Sequence, residues 1–256
     1  MNPNKKSKPK SKTRSSSTRP QTSKTQMSKP QMGRAAGASG GKFSSHNRPS
    51  SLKLTKNQRW VVGNHAVLEL FNTRSNTVEK VFFQHGWQGV HLQKELFSKA
   101  KSLGLDIEEK PRGFLDQIYM NHQGCVVLAQ GRPEFIEAHL TNPSQLIFLD
   151  GIEDPHNLGA ITRTAWLLSV HGIFIPEDRA VDLTPTVHKV ACGGVEHVPI
   201  VQEIQFKTPI EKFKEMGYWV FGLSHKAKKT IYECQLPRQV IWCIGAEDKG
   251  LRTTTE

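Results

Sequence analysis

An apolar run, Leu146-Ile147-Phe148-Leu149, stops at Asp150, and a helix signal opens at Asp154-Pro155. A strand that hands polar groups to a helix N-terminus is a usual ligand site in an open α/β sheet. The rest of the second half follows the same alternation. Strand candidates are Gly172–Ile175, Val198–Val201, Trp219–Leu223 and Val240–Ile244, with helix candidates at Pro155–Leu168, Pro185–Ala191 and Thr208–Met216. Strands this apolar, separated by helices, predict a mainly parallel sheet covered on both faces. The fold class is α/β.

A smaller α/β module precedes it. Asn64–Phe71 and Leu92–Leu103 carry helical spacing, Val78–Gln84 and Gly124–Ala129 read as strands, Leu105–Glu108 as a short strand, and Pro111 starts a helix through Tyr119. Arg132–Ser144, with Pro133 and Asn142-Pro143, reads as a linker holding one short helix. The expected division is a tail at 1–59, a first domain at 60–133, a linker at 134–144 and a second domain at 145–256.

Charge separates the tail from the rest. Residues 1–59 hold 10 Lys, 5 Arg and no acid, which leaves 20 Lys and Arg against 23 Asp and Glu from Trp60 onward. The formal charge of +12 therefore lies in the tail. Rich in Lys, Ser, Thr, Pro and Gly, it buries too little surface to offset its ordering entropy, so it is expected to be disordered. It serves either as a phosphate-binding arm or as a solubilising extension. No apolar run approaches the ~20 residues of a membrane span, and no secretory h-region is present. Cys125, Cys192, Cys234 and Cys243 lack metal-type spacing and lie in apolar contexts, which predicts buried free thiols, no metal and a cytoplasmic protein.

Two segments carry chemistry. In Asp154-Pro155-His156-Asn157-Leu158-Gly159, Asp154 is an N-cap, Pro155 suits the first helical position, Asn157 presents an amide near the strand end, and Gly159 leaves room for a close approach. Arg163 follows on the face of His156 and suits a phosphate or a hydroxyl. Singly, each residue also reads as part of a well-capped surface helix. In Ile241 to Leu251, a strand ends at Gly245, and Glu247 and Gly250 follow in the turn. A third segment, Lys189 to Pro199, offers Glu196 and His197 as an acid/base pair. A helix stop at Gly193-Gly194 with close helix–sheet packing is the preferred reading.

In this order and spacing, these segments resemble the SpoU/TrmH family of RNA 2′-O-methyltransferases of the SPOUT superfamily. Asn157, Gly159 and Arg163 match its first motif, and Gly245, Glu247 and Gly250 its second. The first module resembles the family's ribosomal-protein-like substrate-binding domain through Gly63, Val67 and Asn121-His122-Gln123-Gly124. The resemblance implies a trefoil-knot parallel-sheet domain, S-adenosyl-L-methionine as cofactor, RNA as partner (rRNA ahead of tRNA) and a homodimer with active sites near the interface. It implies catalytic roles for Asn157, Arg163 and Glu247, and cofactor contacts at Leu223, Gly245 and Gly250. Arginine is a poor base. Arg163 is therefore expected to orient the ribose and stabilise the developing oxyanion, with a nearby phosphate as one acceptor for the proton. The family's third, Asn-Val-Ser-like motif is not found before Glu256. A C-terminally truncated catalytic domain with an exposed apolar sheet edge is therefore expected. The alternative is a non-catalytic RNA-binding or ribosome-assembly protein that keeps the fold.

Overall fold

The computed structural model describes residues 52–178, 182–252 and residue 255. The expected disordered tail falls mostly on residues 1–51, which lie outside the described ones. Its inner boundary is corrected. Leu52 is buried among Trp60, Phe82 and Leu115, and a strand already begins at Gln58. Arg59, which reads as tail charge, is buried instead against Glu196.

In chain order the first part is β1 (Gln58–Val62), α1 (Asn64–Thr73), β2 (Val78–Gln84), α2 (His91–Ser102), β3 (Ile107–Lys110), α3 (Arg112–Ile118) and β4 (Cys125–Gln130). Its sheet runs β1-β4-β2-β3, with β4 antiparallel to both neighbours and β2 parallel to β3. Pro111 is the residue before α3 rather than its first helical residue. The linker contains only a 3₁₀ turn, Glu137–His139.

The second part is β5 (Ser144–Asp150), α4 (Pro155–Leu167), β6 (Gly172–Pro176), α5 (Pro185–Ala191), β7 (Ile200–Glu203), α6 (Lys207–Glu215), β8 (Trp219–Leu223) and β9 (Gln239–Gly245). Every strand pair in its β7-β6-β5-β9-β8 sheet is parallel. The period of two in β5 explains the cover. Ile147 and Leu149 join the core formed with α4 and α5, while Leu146 and Phe148 join the core formed with Phe206 and Phe213 around α6. Phe148 stacks on Phe174 at 4.4 Å between ring centroids. β7 begins two residues later than its sequence suggests. Pro199 has no N–H for the ladder, and the Val198 N–H is taken by the Gly194 carbonyl at 2.9 Å. β8 is a sheet edge, and Trp219, Val220 and Leu223 are exposed on it. No described helix is long and apolar enough to cross a membrane.

Two of the four thiols depart from expectation. Cys125 and Cys243 are buried and free, and burial, with Asp150 nearby, pushes Cys243 up to about 11. Cys192 and Cys234 are half-buried. Cys192 occupies the left-handed position that ends α5 (φ 51°), where a glycine was expected, and Gly193 follows at φ 106°.

The Gly193-Gly194 segment joins the two parts. A Cβ on Gly194 would stand 2.9 Å from the Thr162 carbonyl oxygen, and one on Gly193 would stand 2.5 Å from Glu69 Cβ. Only glycine lets this turn lie against α4 and α1 at once. Glu196 and His197 then serve the joint rather than acid/base chemistry. The Arg59 Nη1 and Nη2 groups donate to the two Glu196 oxygens at 2.5 and 2.7 Å, and Arg59 Nε donates to the Gly131 carbonyl at 2.6 Å. His197 stacks on Trp166 at 4.2 Å and lies 2.9 Å from Glu69 Oε2. His188 is buried 3.8 Å from Glu196, but desolvation, with the Arg59 and Arg132 charges, holds it well below the usual imidazole range. It is therefore neutral and forms no ion pair there.

Breaking a buried pair strands a charge at a cost of about 3–5 kcal/mol. Glu196→Ala is expected to lose that much in urea unfolding, and Arg59→Leu/Glu196→Leu to recover most of it. A loss under about 1 kcal/mol for the single variant would show that the joint is not built on this pair. The neutral His188 also gives a pH dependence. Below pH ~6.5 the unfolded chain takes up a proton that the folded chain refuses, so stability falls as pH falls, by up to about 1.4 kcal/mol per unit. His188→Asn is expected to flatten the slope by about half a proton near pH ~6.5, rising to about nine-tenths near pH ~5.5, and an unchanged slope would contradict the assignment.

Candidate active site

β5 and β9 are neighbours in the sheet although they are far apart in sequence, so the loops that leave their carboxyl ends meet. Asp150 and Gly245 are register partners there. Asp150 is buried, and its carboxylate accepts from the Arg252 backbone N–H at 2.9 Å and pairs with the Arg252 guanidinium. This contact ties the turn after β9 back to the end of β5. From the sequence alone, Asp150 reads as no more than the end of an apolar run. The available signal is a carboxylate set at that end and an Arg just beyond Gly250-Leu251.

Beyond Asp150 the chain turns at Gly151 (φ 88°) and enters α4. Asp154 caps the helix as expected, its carboxylate accepting from the His156 N–H at 2.8 Å, with Pro155 in the first helical position. Gly159 does not open a path for a ligand. A Cβ there would meet Val190 Cβ at 2.7 Å and the Val187 carbonyl at 3.1 Å, so its role is the close crossing of α4 and α5.

A hollow of about 220 Å³ lies at the carboxyl ends of these two strands, walled by Gly151 to Asp154, Asn157 and Ala246 to Lys249. It brings Asn157 and Glu247, from separate motifs, to one place. Both are exposed to solvent there. Arg163 is not part of this wall. It stands exposed further along α4 and, among the described residues, makes no ion pair or side-chain hydrogen bond.

Leu223 belongs to a second hollow, about 880 Å³, at the end of β8, with Phe221, Ser224, Ile231 and Trp242 in its wall and Lys228 and Lys229 among the polar groups. Gly245 and Gly250, the other expected cofactor contacts, line neither hollow. The Ala246 and Gly250 backbones exchange hydrogen bonds of 3.0 and 2.8 Å, and Gly250 has φ 69°. A Cβ on Gly245 would lie 2.0 Å from the Gly250 carbonyl carbon, so Gly245 is required by the folded-back turn itself. Leu251 then reaches over Gly222, its Cδ1 3.0 Å from where a Cβ would be. Among the described residues, no group of three or more His, Cys, Asp or Glu is placed to hold a metal ion.

Comparison with known proteins agrees with this geometry. Residues 144–256 match the SpoU rRNA methylase family, and residues 60–134 match the RNA 2′-O ribose methyltransferase substrate-binding domain. The chain is 32% identical over 206 residues to the 23S rRNA (guanosine-2′-O-)-methyltransferase RlmB of Neisseria meningitidis serogroup B, covering 78% of this chain and 82% of that one. Against the protein of the same name from Shewanella oneidensis it is 34% identical over 205 residues, covering 77% and 83%. In fold it resembles the crystal structure of the SpoU methyltransferase AviRb from Streptomyces viridochromogenes, with a TM-score of 0.64 at 15% identity over 77% of this chain and 76% of that one. Two motifs that converge where β5 meets β9, matched domains along most of the described chain, and relatives above 30% identity lead to one conclusion: this chain belongs to the SpoU rRNA methylase family.

Proposed function

We propose that the protein transfers a methyl group from S-adenosyl-L-methionine to a ribose 2′-hydroxyl of RNA, with 23S rRNA as the substrate class named for its relatives. The observation that carries this reading is the meeting of Asn157 and Glu247 at the carboxyl ends of β5 and β9 in a SpoU-type sheet. Residues 60–133 would hold the RNA. The reading places the protein in the cytoplasm with that substrate.

The hollow at the end of β8 fits the cofactor. Its ~880 Å³ lies in the range of small-molecule sites. Leu223, Ile231 and Trp242 offer apolar surface for a base, and Lys228 and Lys229 offer charge for a carboxylate. Gly245 and Gly250 shape the turn that leads to Leu251, which packs over Gly222 in its wall. When bound, S-adenosyl-L-methionine supplies a methyl group already activated on a sulfonium. The chain's own task is then placement of the accepting hydroxyl in line with that methyl. Asn157 donates and accepts through its carboxamide and fixes the ribose edge. Arg163 holds the ribose and stabilises negative charge as the 2′-oxygen gives up its proton to a neighbouring RNA phosphate. Glu247 accepts from the guanidinium and keeps it aimed.

Arg163 lies outside the wall shared by Asn157 and Glu247. The reading therefore includes a homodimer in which the Arg163 of one copy reaches the hollow of the other. Exposed Leu167 and Leu168, one turn beyond Arg163, give α4 apolar surface for such a contact.

Methyl transfer to 23S rRNA, together with cofactor binding by calorimetry, tests the assignment. Arg163→Ala is expected to lower transfer about 100-fold or more while cofactor affinity stays within a few-fold. Full transfer by this variant would remove Arg163 from the mechanism. Absence of cofactor binding in the unmodified chain would favour an RNA-binding protein without catalysis. Mixing Arg163→Ala with Glu247→Ala protein is expected to restore about a quarter of the sites, because half of the dimers then hold one intact pair. No recovery would contradict the exchange between copies.

A further inference from the structure

Three guanidiniums gather around one buried carboxylate where the two sheets meet. Arg59 uses both oxygens of Glu196. Arg74 Nε stands 3.9 Å from Glu196 Oε2, beyond hydrogen-bond reach, and is buried without an acceptor among the described residues. Arg132 is half-buried and makes no ion pair or side-chain hydrogen bond among the described residues. Burial lowers the affinity of both Arg74 and Arg132 for their protons, and the charge on Arg59 adds to this.

The acids nearby do not balance the excess. Glu134 and Asp182 are exposed, Glu137 is paired with Lys212, and Glu203 is half-buried across the cleft. Partly desolvated cations that share one carboxylate are incompletely compensated, and an anion that meets them relieves the cost. Arg74 and Arg132 face a common cleft of about 740 Å³ between the end of β4, the linker, β7 and α6, with Lys56 also in its wall. None of its lining residues lines the hollow that holds Asn157 and Glu247.

We propose that this cleft is an anion site that takes a phosphate of the RNA backbone, gripped by Arg74 and Arg132 and approached past Lys56. The inference rests on the reading of RNA as substrate. Guanidiniums match phosphate oxygens in pairs. A cleft this much larger than one phosphate, bounded by both matched domains, suits a continuous strand better than a free ion. Its function is to hold the RNA in register at a distance from the reacting ribose.

The test is binding of a 23S rRNA fragment to the full chain across a salt series. Arg74→Gln/Arg132→Gln is expected to bind about tenfold more weakly near 100 mM salt, and the slope of log affinity against log salt to become shallower by about one to two. Arg74→Lys/Arg132→Lys is expected to keep the slope. If the Gln double variant fails to fold by circular dichroism, Lys56→Gln/Arg132→Gln replaces it, and a slope shallower by about one to two is again expected. Unchanged affinity and slope in a folded variant would overturn the proposal. So would a thermal shift of the unmodified chain by millimolar inorganic phosphate that the Gln variant loses while its RNA binding is unaltered, since the site would then serve a free anion. Methyl transfer measured in parallel separates the two readings. Transfer with unaltered RNA binding in the variant removes the cleft alone. No transfer by any form, with the RNA-binding loss still present, removes the enzyme reading and leaves the cleft.

Discussion

The parallel pairing of β5 with β9 is the constraint on which the rest depends. It runs over seven residues, from Ser144 opposite Gln239 to Asp150 opposite Gly245. β5 is buried on both faces and β9 on one face and partly on the other, so a slip by one residue would exchange the contents of two different cores. The pairing sets the carboxyl ends of two strands, far apart in sequence, side by side. Two of the groups assigned to chemistry hang from those ends: the turn into α4 with Asn157, and the folded-back turn with Glu247. The bond from Arg252 to buried Asp150 closes the same corner from the other side. It gives the carboxylate a partner and fixes the second turn against the first.

Much of this was legible in the residues. β2, α5 and β8 have the bounds their patterns predict. Each is a short apolar segment with a clear stop, and propensity and packing agree there. The Asp154-Pro155 helix start was equally clear, because capping is local chemistry within a few residues. The ends of β7 depended on where Val198 and Pro199 found hydrogen-bond partners, which no periodicity reveals.

What stayed hidden involved partners distant in sequence. Arg59 is the main case. Beside so many other cations it reads as tail charge, yet it is buried because Glu196 arrives to meet it. Gly159 reads as room for a close approach, by backbone or ligand, and Gly245 as a tight turn. What approaches is another part of the chain, α5 for one and the Gly250 backbone for the other. A glycine announces close approach without saying what approaches. Arg163 shows the same limit for function. Its motif position was plain, but one copy of the chain does not bring it to the hollow it is read as serving.

The account stands on the claim that a ribose oxygen, and not a base, receives the methyl group. The most direct measurement is mass spectrometry of nucleosides from 23S rRNA incubated with the protein and S-adenosyl-L-methionine labelled on its methyl group. The account predicts label in a single 2′-O-methylated nucleoside, with the base unlabelled. Label on a base, or none in RNA from a preparation shown to bind the cofactor, would contradict it.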